Sequence, residues 1–218
     1  MPNVVVVMVR AGLACCAATL LTGCAQWVVA GAPLRAAGEP PYQPPGVVDV
    51  DQVLLGQDQM RAITGTGQDL TIIPSMDGKS PVDNEVLADS VPPECRFVFE
   101  ETAAFGTGFE DFHKTSFQSP PHSALISEGA AAYRDAATAR RAFDALSATV
   151  ARCADSSYGT LLVGDVEAGA ETVATRPGAC GRDYRLKGQV LVEVTFCAFP
   201  DSVPEIVMTN ILSRIPAG

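Results

Sequence analysis

Residues 180–197 have the sequence CGRDYRLKGQVLVEVTFC, in which two strand-like runs flank a central glycine and a cysteine stands at each end. A two-residue loop of Gly188 and Gln189 suits a type II′ hairpin turn, which prefers glycine at its first position. Counting outward from this loop sets Cys180 directly opposite Cys197, at a Cα separation that suits a disulfide. We therefore expect a β-hairpin closed by a disulfide.

The N-terminal residues predict export and lipid attachment. Residues 11–21 form an apolar run without charge, and residues 21–24, LTGC, resemble a lipobox, the signal for cleavage before a cysteine that receives lipid. Because the run is too short to span a bilayer, we expect a lipoprotein signal peptide over residues 1–23. A diacylglyceryl group on Cys24 supplies two chains and hence a stable anchor in the lipid bilayer, at the extracytoplasmic face of the cell membrane.

An uncleaved signal anchor over residues 11–32 is the alternative. Residues 27–30 are apolar as well, so the hydrophobic stretch continues past Cys24. Arg10 is the only positive charge that precedes it. In both interpretations Arg10 lies on the cytoplasmic side of the membrane and the chain after the hydrophobic stretch is exported.

Four of the seven cysteines remain for the folded domain. Two lie in the signal and Cys24 takes the lipid, which leaves an even number in an oxidising compartment: Cys95, Cys153, Cys180 and Cys197. Four cysteines allow three different pairings. No Cys-x-x-Cys spacing and no neighbouring histidine favours zinc binding or thiol redox chemistry. With Cys180 assigned to Cys197, elimination pairs Cys95 with Cys153 and stabilises the fold by about 4 kcal/mol on the chain-entropy view.

Composition and charge limit the classes of partner. Apolar residues make up 47% of the chain and charged residues 18%, which indicates a globular domain with a hydrophobic core. The formal net charge is −10, with only two histidines. Phosphate-rich partners would be repelled, so we expect no nucleic acid partner and a cationic or neutral ligand.

The chain divides into three parts. Residues 33–46, PLRAAGEPPYQPPG, are proline-rich and lack a hydrophobic period, which is typical of an extended spacer. We therefore expect a lipid-anchored linker over residues 24–48 between the signal at residues 1–23 and a folded domain over residues 49–218.

Hydrophobic periodicity and turn residues predict a mixture of helices and strands in the folded domain. The clearest helix spans residues 135–154, where apolar residues recur at helical spacing: Ala139, Phe143, Leu146, Val150 and Cys153. We expect further helices over residues 51–63, 92–104 and 203–215. We expect strands over residues 70–73, 112–118, 124–132, 161–163, 171–175, 184–186 and 190–196. The predicted fold class is α+β, a single domain with helices packed on an antiparallel sheet.

Three motifs together resemble the extracellular sensor domain of PknH-type mycobacterial receptor serine/threonine kinases. They are PPEC at residues 92–95, CGRDYR at residues 180–185 and the strand QVLVEVTFC at residues 189–197. The similarity covers residues 49–216. Gln189 stands where the family has asparagine, and residues 150–153, VARC, lack the tryptophan that commonly precedes this cysteine in the family.

This resemblance implies a sensor domain with two disulfides and a central cleft that binds a small molecule or a cell-wall component. The same domain occurs in that group of bacteria as free lipoproteins without a kinase, which fits the lipobox. The resemblance implies no catalysis, and we expect no cofactor and no metal site in this chain. It carries over no individual ligand contacts, because the matching motifs are structural.

The sequence also lacks catalytic motifs. We find no Gly-x-Ser-x-Gly, no His-Glu-x-x-His and no phosphate-binding loop. His113 and His122 are the only histidines, and we expect a strand position for the first and an exposed loop for the second. The chain is therefore predicted not to be an enzyme.

Four residues are candidate ligand contacts. Arg182 and Arg185 are the best candidates to hold an anionic group, unless they pair with Glu193 across the strand. Glu100 and Phe109 flank a glycine-containing segment, where carboxylates and aromatic rings would favour a cation. A solvated acidic surface is the alternative interpretation.

The predicted function is that of a membrane-anchored cell-envelope lipoprotein whose domain binds a small ligand or an envelope protein without catalysis. One alternative is an envelope hydrolase or transferase acting on cell-wall polymers, with its acid and base drawn from Glu100, Glu101, Glu110 and Asp111. A second alternative is a structural co-receptor of a related kinase ectodomain.

Overall fold

The computed structural model of the chain describes residues 46–216, so Cys24, the signal peptide and residues 24–45 of the linker lie outside the described residues. Residues 46–216 form a seven-stranded antiparallel sheet with the order β1-β2-β3-β7-β6-β5-β4. The strands are β1 (Thr71–Gly78), β2 (Phe109–Ser119), β3 (Ala124–Tyr133), β4 (Asp165–Ala168), β5 (Thr172–Arg176), β6 (Cys180–Lys187) and β7 (Val190–Cys197). The predicted α+β class with an antiparallel sheet is confirmed.

Seven α-helices accompany this sheet within residues 46–216. They are α1 (Val50–Val53), α2 (Gln57–Thr64), α3 (Glu85–Ala88), α4 (Glu101–Phe105), α5 (Ala136–Ala154), α6 (Gly159–Leu162) and α7 (Ser202–Arg214). Three 3-10 helices span Gly67–Asp69, Pro93–Val98 and Pro120–His122. Within the same residues, no helix combines the length and the hydrophobicity that crossing a bilayer requires.

The hairpin of β6 and β7 has the predicted register. Gly188 has a φ of 58°, the left-handed backbone that glycine adopts without strain, and Lys187 lies opposite Val190. The register continues to Cys180 opposite Cys197, which form a disulfide. The second disulfide joins Cys95 to Cys153, so both predicted pairings are confirmed.

Helices cover the sheet on both faces. Helices α1, α2 and α7 contribute to one apolar cluster, which includes Val192 and Val194 of β7. Helices α4 and α5, with the 3-10 helix Pro93–Val98, contribute to a second cluster on the other face, which includes Leu191. The central strands β3 and β7 therefore have no solvent-facing side, and nearly all of their side chains are buried.

Helix α5 follows its predicted pattern. The five predicted apolar positions, Ala139, Phe143, Leu146, Val150 and Cys153, are its buried residues. Asp135 caps the helix, because its Oδ1 accepts a hydrogen bond of 2.7 Å from the backbone N–H of Thr138. This helix carries Cys153, so the disulfide ties the 3-10 helix Pro93–Val98 to the end of α5.

The prediction of a strand over residues 161–163 is wrong. These residues belong to or follow the short helix α6, in which the backbone N–H of Val163 donates to the carbonyl of Gly159 at 2.9 Å. A three-residue apolar run is too short for its periodicity to separate helix from strand. Val163 is nevertheless buried, so its apolar character is explained by a position in the core in either type of structure.

Two predicted helices are each divided in two. The first is interrupted between α1 and α2 at residues 54–56, and the second changes from the 3-10 helix Pro93–Val98 to α4 around Glu100. The first interruption lies over β3, where the backbone N–H of Leu55 donates to the side-chain oxygens of Glu128. At the second, Glu100 forms an isolated β-bridge with Asp83. Tertiary contacts therefore decide where these helices end.

Glu128 is a fully buried carboxyl group beneath the connection from α1 to α2. Both of its oxygens lie 3.0 Å from the backbone nitrogen of Leu55. Burial raises the pKa of Glu128 to about 8, although the hydrogen bond from Leu55 and the charge of Arg214 act in the opposite direction. Glu128 is therefore largely protonated in the folded protein at neutral pH.

This raised pKa makes the free energy of unfolding depend on pH. In the unfolded chain the pKa of Glu128 is 4.5, and in the folded protein it is about 8. The stabilisation of the folded protein by Glu128 is therefore fully present below pH 4.5 and is lost as the pH rises towards 8. The slope reaches about 1.4 kcal/mol per pH unit. We expect Glu128→Gln to abolish this decline and to raise stability at pH 8 relative to the wild type. Denaturant unfolding at pH 5 and pH 8 measures the difference, and parallel profiles for the two proteins would contradict the assignment.

Candidate functional site

A cavity opens on the face of the sheet that carries α5. It has a volume of about 470 Å³ and is referred to below as the central cavity. Its lining combines the end of β1 and the segment after it, the end of the 3-10 helix Pro93–Val98 and four strands of the sheet: Met76, Gly78, Ser80, Val82, Asn84, Leu87, Phe97, Val98, Phe99, Glu100, Glu101, Lys114, Leu125, Ser127, Arg182, Thr195 and Cys197. The predicted central cleft is therefore present in the fold.

The outer wall of the central cavity is apolar and partly exposed. Met76 is 42% exposed, Val82 55% and Leu87 44%, and all three belong to the segment from β1 to α3. Large apolar side chains exposed together at the mouth of a cavity are typical of binding sites. The wall therefore provides apolar surface that a ligand can cover.

Hydrogen bonds hold this outer wall against the start of α4. The backbone N–H of Val82 donates to Glu101 Oε2 at 2.8 Å, and the backbone N–H of Asn84 donates to the carbonyl of Phe99 at 2.9 Å. Asp83 Oδ1 accepts from the backbone N–H of Thr102 at 3.0 Å. A segment that is rich in turn residues in the sequence is thus positioned by specific contacts.

Lys114 lies on the floor of the central cavity between two carboxylates. Its Nζ is 2.9 Å from Glu101 Oε1 and 3.1 Å from Glu193 Oε1. Thr195 Oγ1 donates a further hydrogen bond of 2.5 Å to the same oxygen of Glu193. Lys114 therefore connects the α4 side of the cavity to the centre of the sheet.

Glu193 stays ionised although it is almost fully buried. Burial by itself raises the pKa of this carboxyl, but the positive charges of Lys114 and Arg182 and the hydrogen bond from Thr195 outweigh burial and lower its pKa below the usual value. The floor of the central cavity is accordingly an ionic network and not a set of neutral polar groups.

Arg182 crosses the floor beside Glu193. Its Nη2 donates to the carbonyl of Val98 at 2.6 Å, which ties β6 to the end of the 3-10 helix. Burial lowers the pKa of Arg182, but Tyr184 and Glu193 outweigh burial and raise it. Arg182 therefore acts both as a counter-charge for Glu193 and as a structural link to Val98.

The structure brings two of the four predicted ligand contacts together. Arg182 and Glu100 both line the central cavity. Arg185 lies on the opposite face of β6 and lines a groove against α7. Phe109 packs on Phe112, with 5.4 Å between ring centroids, and does not line the cavity. Any ligand contact by Arg185 or Phe109 thus belongs to another part of the surface.

The four acidic residues of the alternative catalytic interpretation do not converge. Glu100 and Glu101 line the central cavity, whereas Glu110 is exposed on β2. Asp111 Oδ2 accepts from the backbone N–H of Val50 at 3.0 Å, on the α1 side of the sheet. Glu100 Oε1 lies 3.7 Å from Arg96 Nη1. Of the four residues, only Glu100 and Glu101 therefore share a cavity, and each already contacts a cation, Arg96 and Lys114 respectively.

Both histidines hydrogen-bond to neighbouring side chains. His113 lies between Asp51 and Asp77, with ring nitrogens 2.8 Å and 2.9 Å from their carboxylate oxygens. His122 Nδ1 is 2.9 Å from Ser119 Oγ at the connection after β2. Within residues 46–216, no group of histidine, cysteine, aspartate and glutamate side chains is arranged to hold a metal ion.

The central role of Lys114 was not predicted from the sequence, and Glu193 was predicted only as a partner for Arg182 and Arg185. Glu193 gave a signal, because it interrupts the apolar run Val-Leu-Val-Glu-Val, whereas Lys114 stands between His113 and Thr115 and gave none. The contact between Lys114 and Glu193 joins residues that lie 79 positions apart in the sequence. Only the order of the strands brings them together.

Comparison with known proteins identifies related domains. The family model described as the PknH-like extracellular domain matches residues 45–214. Among solved structures, the crystal structure of the extracellular domain of PknH from Mycobacterium tuberculosis matches with a TM-score of 0.59 and 16% sequence identity, covering 77% of this chain and 96% of that chain. At this identity the structural match shows the fold alone. No curated protein matches the chain significantly.

The ionic floor predicts a specific stability effect. We expect Lys114→Met to destabilise the domain by about 3 kcal/mol, because it leaves the buried carboxylate of Glu193 without its nearest cation. The double variant Lys114→Met/Glu193→Gln removes that charge and should recover most of the loss. Denaturant unfolding of both variants measures the coupling, and purely additive losses would show that the two side chains do not depend on each other.

Proposed function

Because this chain belongs to the family of PknH-like extracellular domains, we propose that it is a lipid-anchored protein that binds a small ligand in the central cavity without catalysis. Membership of the family supports a location outside the cytoplasm. Ligand binding and the lipid anchor are proposals. The first is supported by the geometry of the central cavity, and the second by the N-terminal sequence.

The observation that carries the ligand proposal is the contrast between the wall and the floor of the central cavity. The wall presents Met76, Val82 and Leu87 to solvent, although apolar side chains of this size are more stable when covered. The floor presents hydroxyl groups and the paired charges of Lys114 and Arg182. A cavity of about 470 Å³ that combines apolar walls with a few polar groups has the size and character of a small-molecule site.

The same floor supports a role without catalysis. The two carboxylates that contact Lys114 are already in use, since Glu101 Oε2 accepts the Val82 N–H and Glu193 Oε1 accepts from Thr195. Lys114 and Arg182 hold the pKa of Glu193 low, whereas a general acid needs a raised pKa. The charged groups therefore stabilise the fold, and the ligand contacts them without reacting.

A pair of matched substitutions tests the ligand proposal. We expect Leu87→Asp to release a compound that co-purifies with the wild-type chain, because the charge disrupts the apolar wall. Ile206→Asp is the control, since Ile206 is 45% exposed, close to the value for Leu87, but belongs to α7 on the other face of the sheet. Mass spectrometry of small molecules extracted from the purified full-length proteins measures the difference. An identical set of compounds in both variants would refute binding in the central cavity.

The proposed anchor rests on residues 21–24, LTGC, and is tested separately. We expect Cys24→Ser to move the chain from the membrane fraction to the soluble fraction, because it removes the thiol that carries the acyl chains. Separation of cells into membrane and soluble fractions measures the change in location, and the mass of the N-terminal peptide shows whether lipid is attached. Membrane retention of the variant would instead favour an uncleaved anchor over residues 11–32.

A further inference from the structure

A second, smaller cavity adjoins the central cavity. It has a volume of about 280 Å³ and is referred to below as the side cavity. Its lining is Val98, Leu161, Leu162, Pro177, Cys180, Gly181, Arg182, Thr195 and Cys197. Four of these residues, Val98, Arg182, Thr195 and Cys197, also line the central cavity. The two cavities are therefore neighbours across a shared boundary.

Arg182 forms the boundary between the two cavities. The hydrogen bond from its Nη2 to the carbonyl of Val98 spans the gap between the sheet and the 3-10 helix. The arginine side chain carries methylene groups before its guanidinium, so it presents apolar surface as well as charge. The hydrogen bond between Arg182 and Val98 closes the direct path between the two cavities, so an apolar chain that reaches both lies across the methylene groups of Arg182.

Exposed apolar residues concentrate at the two ends of this pair of cavities. Within residues 46–216, seven large apolar side chains are exposed: Met76, Val82, Val86, Leu87, Tyr158, Leu161 and Ile206. All except Ile206 belong to residues 76–87, beside the central cavity, or residues 158–161, beside the side cavity. Leu161 is 73% exposed and lines the side cavity. This distribution indicates an extended apolar ligand that covers both ends.

The charges around the two cavities select the head group of such a ligand. The charged residues of the lining are Glu100, Glu101, Lys114 and Arg182, which sum to zero. Each lies within hydrogen-bond or ion-pair distance of another protein group. A charged head group would have to displace one of these contacts, whereas an uncharged, hydroxylated head group can hydrogen-bond to groups such as Ser127 without doing so.

From this geometry we propose that the central and side cavities form one groove for an uncharged lipid. Its hydroxylated head group lies on the floor of the central cavity beside Lys114 and Ser127. Its acyl chain passes Val98 and Arg182 and ends against Leu161. The inference rests on the proposed function. It adds the chemical class of the ligand and the participation of the side cavity.

Photocrosslinking with a defined lipid tests the groove. The probe is a monomyristoylglycerol with a diazirine at the end of its acyl chain, added to membranes that contain the full-length protein. We expect adducts on residues 159–162 of α6, and we expect Leu161→Asp to reduce them about tenfold because a charge replaces an apolar contact. Ile206→Asp, on the opposite face, should leave the adducts unchanged. Because Leu161 is exposed, its substitution should leave the fold intact, which the two disulfides in the recovered protein verify.

Probes with the same chain but a different head group test the charge argument. We expect an alkyl ammonium and an alkyl carboxylate to label α6 about tenfold less than the glycerol probe. Equal labelling by all three probes would overturn the uncharged head group. Labelling that is independent of Leu161 would overturn the chain position.

The positions of the adducts separate this inference from the proposed function. Adducts confined to residues 76–101 would overturn the continuous groove but leave ligand binding in the central cavity intact. Adducts confined to residues 1–45 would overturn lipid binding by both cavities. In that case the co-purification experiment with Leu87→Asp still decides whether the central cavity holds another small molecule.

Discussion

The burial of β3 and β7 on both faces is the constraint on which the rest of the structure depends. Each strand carries one glutamate, and both carboxyl groups are removed from water. Glu193 faces Lys114 and Arg182, which keep it charged. Glu128 faces mainly a backbone N–H, and burial raises its pKa to about 8. The same physical cost of burial thus has opposite outcomes on the two sides of one sheet.

The ionic network around Glu193 also shapes the candidate site. Lys114 reaches from β2 to Glu101 of α4, and Arg182 reaches from β6 to the carbonyl of Val98. These contacts tie the sheet to α4 and to the end of the 3-10 helix Pro93–Val98, which both border the cavity. The polar floor is therefore also a set of links between the sheet and the elements that cover it.

One disulfide lines the cavities and the other holds an element that borders the central cavity. Cys197 lines both cavities, and Cys95 belongs to the 3-10 helix whose last residues line the central cavity. The bond from Cys95 to Cys153 ties that helix to α5. In an oxidising compartment these bonds restrict the walls as well as the unfolded chain, so stability and the shape of the site are linked.

The sequence alone determined the features that depend on neighbouring residues: the turn at Gly188, the register from Cys180 to Cys197, and helix α5. Its motifs also identified the family, and the odd spacing between Arg182 and Arg185 already implies opposite faces of one strand. Only the tertiary structure decided that residues 161–163 do not form a strand and that Lys114 meets Glu193. Turn geometry and periodicity act over a few residues, whereas ion pairs between distant strands depend on strand order, which no local pattern encodes.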